Sequence, residues 1–263
     1  MTQNIPATIN IEQELNKIEK NPQVWGDDEL IDIKDSIKLN NLSLKWNNKV
    51  LLENANLKIK AGTINIIVGP SGEGKTTLID SIVGIIKPHN GAIEFDNNEI
   101  SNFSEKSFKS NISYVDQNAT LFNESIIDNI SWGQGKVSKN KIYKIATQLD
   151  MHDKIKSLKN GYNTMAGDRG VNLSGGEVQR IIIIRALIRN PKILILDEAI
   201  NQLDSKSKAP IIKILESLKG KITIFIISHS EDTINLADNI FEVSNNSIRK
   251  LRKNNNWGNY FKS

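Results

Sequence analysis

Cysteine is absent from the 263 residues, which excludes a disulfide framework and any thiolate metal site. Its absence fits a reducing compartment. Long apolar runs are missing too. The longest, such as Ile181–Ile184 and Ile222–Ile227, fall far short of the about 20 residues that cross a bilayer. Met1–Asn10 is polar and lacks the basic start and apolar core of a secretion signal, so no such leader is expected. Neither an internal repeat nor a low-complexity tract is present. The net charge of +4 and pI of about 9.0 suit nucleic acid or an anionic membrane surface. The lysines, however, are scattered among acids along the whole chain together with Ile and Asn, which points to a compositional bias. The length allows one large domain, or one domain with sub-lobes, around a real core.

What is present starts with periodicity. Ile11, Leu15 and Ile18 predict a helix over Ile9–Lys20 that Asn21-Pro22 ends, and a polar, acidic stretch follows to Asp35. Ile37, Leu39, Leu42 and Leu44, then Leu52, Leu57 and Ile59, read as strands. Thr63–Val68 is a short apolar run of the kind buried on both faces. From Lys75 the period turns helical through Leu78, Ile79, Ile82, Val83 and Ile86, with Pro88 as the expected stop. After a strand at Ala92–Phe95, a mostly helical middle is expected over about 118–190. Strands return at Lys192–Leu196 and Lys221–Ser228, with an amphipathic helix near Ser207–Leu218 between them. From Asn245 the chain is polar and basic.

Between the buried run and the helix lies GPSGEGKT, which fits G-x-x-x-x-G-K-[ST]. Glycines let the backbone turn so that successive N–H groups point at phosphate oxygens, and the positive end of the helix adds to the attraction. The strand, loop and helix order makes Gly69, Pro70, Ser71, Gly72, Glu73, Gly74, Lys75, Thr76 and Thr77 an expected nucleotide-phosphate cradle, without fixing the type of NTPase. Lys75 would reach the β- and γ-phosphates, and the Thr76 hydroxyl would hold Mg²⁺. A second apolar strand ends in Asp197-Glu198. An acid at such a place in phosphate-loop enzymes holds Mg²⁺, so Asp197 is the expected metal residue and Glu198 the general base.

Val171-Asn-Leu173-Ser174-Gly175-Gly176-Glu177 precedes that strand and resembles LSGGQ, the signature of the ATP-binding cassette (ABC) ATPases. The order phosphate loop, signature, Asp-Glu is that family's order, and the resemblance runs from about 37 to 245. It implies an α/β phosphate-loop NTPase core with an N-terminal antiparallel β lobe and an inserted α-helical lobe. By the same resemblance Trp46 stacks on adenine, Gln117 touches Mg²⁺, Leu203-Asp204 ends an interface loop, and His229 contacts the γ-phosphate. Leu173, Ser174, Gly175, Gly176 and Glu177 would bind the ATP held by a second cassette, so that two head-to-tail domains enclose two nucleotides.

Leu121–Gly133 resembles the exporter segment LF-x-x-T-I-x-x-N-I-x-x-G, and Thr164–Gly170 resembles the exporter loop TEVGERG. The expectation is therefore an exporter cassette that hydrolyses ATP at the cytoplasmic face of a membrane, beside a transmembrane domain, with residues 1–36 linker-like and 37–263 the ATPase domain. The rival is a soluble ABC-type ATPase acting on nucleic acid. That class puts long coiled coils between loop and signature or carries zinc-binding cysteines, and neither is present, so a nucleic-acid partner is not expected. Retention of Glu198 and His229 argues against a cassette that binds ATP without turnover. Four departures stand out: Glu177 for glutamine, Asn201-Gln202 for Ser-Ala, Ser230 for arginine, and no G-x-I-x-E-x-G ending.

Overall fold

A computed structural model describes residues 23–46, 49–167 and 170–252. The helix expected over Ile9–Lys20, and Asp168 and Arg169 of the exporter-like loop, lie outside the described residues. The first half contains β1 (Ser36–Trp46), β2 (Lys49–Lys60), β3 (Ile64–Val68), α1 (Lys75–Ile82), β4 (Asn90–Phe95), β5 (Asn98–Glu99), α2 (Glu105–Ser110) and β6 (Ile112–Val115). Helices α3 (Ile126–Ser131), α4 (Lys139–Gln148), α5 (His152–Lys156) and α6 (Gly175–Ile188) follow. The rest is β7 (Ile193–Asp197), α7 (Ser205–Leu218), β8 (Thr223–Ile227), α8 (Glu231–Leu236), β9 (Asn239–Ser244) and β10 (Ser247–Leu251). Contacts divide the chain into two units. One holds the chain through Ile59, Gly69–Lys109 and Val243–Arg249, and the other holds Lys60–Val68, Ser110–Glu242 and the chain from Lys250.

The first unit carries the expected antiparallel lobe, a four-stranded sheet in the order β2-β1-β4-β5. Its first strand explains a spacing that strict alternation does not. Leu39 and Leu42 are both buried although three residues apart, because the register to β4 shifts between Asn40 and Ser43, with Asn41 left-handed at φ 46°. This bulge restores the inward face for Leu44. Phe108 is fully buried against Phe95 at 5.0 Å, Phe103 at 6.0 Å and Trp25 at 5.4 Å between ring centroids.

Helix α1 stops at Ile82, before the expected Pro88, because Gly84 takes φ +71°. A Cβ there would lie 2.6 Å from the Trp25 ring, so Gly84 sets the stop.

The second unit holds the buried core around β3, β6, β7 and β8, strands of a six-stranded sheet in the order β10-β9-β3-β8-β7-β6. Strands β9, β3, β8, β7 and β6 are parallel neighbours, and every residue of β3, β7 and β8 is buried. Burial on both faces is why these strands read as unbroken apolar runs. The polar end of the sequence contains a strand that apolar periodicity misses. Asn245 and Asn246, at φ 51° and 57°, turn β9 back into β10, the left-handed pair that a two-residue hairpin demands.

Phe108→Ala is expected to cost about 3–5 kcal/mol through lost aromatic burial, measured as a lower urea midpoint with little change of slope.

Candidate active site

Register sets the geometry of the second unit's sheet edge. Ile67 of β3 pairs with Ile227 of β8, and Ile227 pairs with Asp197 of β7, so three parallel strands end in one row. Val115 of β6 pairs with Leu196 in the same way. Just past this row the second unit presents Ser228-His229, Asp197-Glu198 and Asp116-Gln117, and Val68 leads on into Gly69. The carboxyl edge of such a sheet is where α/β folds bind ligands.

Asp197 is buried, 8% exposed, and the Tyr114 hydroxyl donates to its Oδ2 at 3.0 Å. Tyr114 was missed by motif reading because it sits mid-strand in β6, with nothing in the local pattern to separate it from a structural tyrosine. Glu198 is half-buried and left-handed at φ 51°, a conformation that costs a bulky residue roughly 1–3 kcal/mol. Its backbone is held in place by Glu198 N–H to Ile227 O at 3.1 Å and Asn201 N–H to Glu198 O at 3.1 Å. Gln117 and His229 are both exposed.

Two departures acquire partners here. Asn201 Oδ1 accepts from the buried Ser228 hydroxyl at 2.6 Å, which in turn accepts from Thr233 Oγ1 at 2.8 Å. The loop after Glu198 is thereby tied to the residue preceding His229, through the side chain that replaces serine. Ser230, in the arginine position, accepts at 3.0 Å from Lys208, itself 7% exposed. Leu203 packs on the core, and Asp204 caps α7 by accepting from Ser207 N–H at 3.0 Å. That backbone bond holds the Asp204 carboxyl below its usual range.

In the first unit, the loop Gly69–Gly74 opens α1. Gly69, Gly72 and Gly74 take φ +142°, +76° and +97°, and a Cβ on Gly69 would strike the Val243 carbonyl. Lys75 is 7% exposed, and its ammonium donates to Gly69 O at 2.8 Å and Pro70 O at 2.9 Å. The first turn of α1 has neither a side-chain cap nor an acid, which leaves its N-terminal pole positive toward the loop. Glu73 is turned to other partners: its carboxylate meets Lys49 at 3.4 Å and accepts from Asn245 N–H at 3.1 Å. Thr76 is exposed, Thr77 half-buried, and Trp46 is the half-buried last residue of β1.

The loop chemistry of the first unit fits a polyphosphate, and in the second unit the Asp197 carboxylate is a donor of the kind that suits a magnesium ion. Among the described residues no three of His, Asp or Glu gather into a separate metal cluster.

The signature-like segment of the second unit forms a capping box: Ser174 Oγ accepts from Glu177 N–H at 3.3 Å, and Glu177 Oε2 accepts from Ser174 N–H at 2.9 Å. The other oxygen, Oε1, meets the Lys154 ammonium at 3.2 Å. Burial alone would raise the Glu177 carboxyl, but the Ser174 N–H and the Lys154 ammonium outweigh it and hold it below the usual range. A Cβ on Gly176 would strike the Ser207 side chain, with Ser207 Cβ 2.8 Å away, whereas one on Gly175 would meet nothing within 4 Å. Leu173 packs against the core.

The exporter-like segment owes its shape to Asn129, fully buried within the motif. Its amide donates to Phe122 O, Glu124 O and Ser125 O, and its Oδ1 accepts from Phe122 N–H at 2.8 Å. Arg185 of α6 donates to both oxygens of Asn129, at 2.8 and 2.6 Å, and stacks over Phe122 at 4.8 Å. The segment is thus fastened to the helix that the signature opens.

Residues 52–201 match the family model described as ABC transporter. An ATP-dependent lipid A-core flippase of Desulfotalea psychrophila is 37% identical over 246 residues, covering 94% of this chain and 42% of the relative. ABC transporter B family member 1 of Dictyostelium discoideum is 37% identical over 204 residues, covering 78% and 22%. A bacterial Atm1-family ABC exporter with ATP bound superposes with a TM-score of 0.80 at 28% identity, over 92% of this chain and 43% of that one. The chain therefore spans less than half the length of these relatives. It belongs to the ABC transporter family and carries that family's ATPase domain in its exporter form.

Proposed function

We propose that this chain hydrolyses ATP to ADP and phosphate and couples the cycle of cassette association to export or flipping of a substrate across a membrane. The observation that carries the reading is the common row in which β3, β7 and β8 end. It commits the start of the phosphate loop, Asp197-Glu198 and Ser228-His229 to one edge.

In this reading the loop N–H groups and Lys75 bind the β- and γ-phosphates, and Trp46 stacks on adenine. Thr76, Gln117 and Asp197 hold Mg²⁺, which supplies charge neutralisation on the phosphate oxygens. Tyr114 orients the Asp197 carboxylate. Glu198 takes a proton from the attacking water, and His229 donates a hydrogen bond to the γ-phosphate.

The second half of each site comes from the signature of another cassette. Gly176 is required by packing against Ser207, but nothing in this chain requires the bare Cα of Gly175. The capping box uses the N–H groups of Ser174 and Glu177. Those of Gly175 and Gly176 are left as donors for an anion approaching the helix start. Leu203-Asp204 belongs to the same interface.

A transmembrane domain is the second partner. Phe122, Trp132 and Met165 are 40%, 50% and 49% exposed, and the two aromatic rings lie 4.3 Å apart. A bridge between Ser125 and Met165 draws the two exporter-like segments together. Exposed apolar side chains gathered in this way mark an interaction surface. No helix among the described residues is long and apolar enough to cross a membrane, and in this reading the spanning helices belong to the transmembrane partner. The cytoplasmic face of the membrane is the expected location. The nucleic-acid reading finds no support among the relatives.

Glu198→Gln is expected to retain ATP binding while slowing turnover ~10²–10⁴-fold, roughly 3–5 kcal/mol of barrier. It should also form an ATP-dependent dimer in size-exclusion chromatography. Unchanged turnover would remove Glu198 from the mechanism. Gly176→Ala should lower the thermal midpoint by about 2–4 °C or more. Gly175→Ala should leave the midpoint unchanged yet weaken ATP-driven dimerisation. A Gly175→Ala variant that dimerises like its parent would contradict the role given to that open face.

A further inference from the structure

The acid at position 177 poses an electrostatic problem. A carboxylate in the first turn stabilises a helix. It also opposes any second anion at the same helix start, and the proposed reading brings a γ-phosphate there. The geometry contains an answer. Both Glu177 oxygens are committed, one to Ser174 N–H at 2.9 Å and one to Lys154 at 3.2 Å, and the side chain is only 15% exposed. Lys154 comes from α5, a separate element, and its side chain is 47% exposed.

We propose that Lys154 is a positioning residue for ATP-driven association. Its ammonium cancels the Glu177 charge and turns the carboxylate inward, so that Gly175 and Gly176 meet the phosphate of a second copy without a facing anion. The inference rests on the cross-dimer reading of the signature and extends it to a residue outside every motif. Charge compensation predicts an asymmetry that a bracing ion pair does not. Without Lys154 the acid becomes harmful, and removing the acid as well should restore function. A pair that only braces α5 against α6 would be lost equally in either single variant and in the double.

The test uses the 263-residue chain carrying Glu198→Gln, with the ATP concentration for half-maximal dimerisation read by analytical ultracentrifugation. Lys154→Ala should raise that concentration about two- to five-fold, the scale of a partly exposed charge pair. Lys154→Arg should leave it unchanged. Adding Glu177→Gln to Lys154→Ala should return it to near the parent value. Raising the salt should shrink the Lys154→Ala defect.

A double variant as impaired as Lys154→Ala alone, or a Lys154→Ala variant identical to its parent, overturns the inference while leaving the cross-dimer reading in place. If the Glu198→Gln parent forms no ATP-dependent dimer at all, that reading falls and this inference falls with it.

Discussion

A strand buried on both faces can offer polar chemistry only at its ends. β3, β7 and β8 are such strands, five residues each and buried throughout. Their parallel pairing in register brings the three carboxyl ends into one row. The phosphate loop leaves that row from Val68, the acids emerge at Asp197-Glu198, and His229 follows Ile227. The apolar core therefore does more than stabilise: its register decides which groups share an edge. A one-residue slip of β7 against β8 would exchange Asp197 for Leu196 at the row.

Around this edge the backbone accepts unfavourable conformations. Glu198 sits left-handed although it is neither glycine nor asparagine, held by hydrogen bonds from its own strand neighbour and its own loop. Asn201 fastens that loop to Ser228, and Lys208 fastens Ser230, so the segment carrying His229 is tied at both flanks. Two departures from the family pattern, Asn201 and Ser230, thus acquire local partners of their own. Glu177 fits the same description through Lys154.

The sequence made the phosphate loop, the Asp-Glu strand and the signature legible because each places several constrained residue types within a short span. Buried strands were legible for a related reason, since burial on both faces forces a continuous apolar run. Structure-dependent features were not. Tyr114, Lys154 and Arg185 act on partners 83, 23 and 56 positions away, and no local period encodes such contacts. Helix α1 ends at Ile82, short of Pro88, because Gly84 turns left-handed, a glycine whose missing Cβ makes room for Trp25 far upstream in sequence. β10 escaped notice because an edge strand with only Ile248 and Leu251 apolar shows no alternation worth reading. The expected helix over Ile9–Lys20 falls outside the described residues.

In the proposed function one chain holds two half-sites, which become whole only when two chains meet. The most direct measurement is the steady-state ATPase rate per chain as a function of chain concentration at saturating ATP and magnesium. The expected specific activity rises with concentration toward a plateau, nearly linearly at the dilute end. A specific activity constant from the lowest concentration upward, in a chain shown to be monomeric throughout, would contradict it.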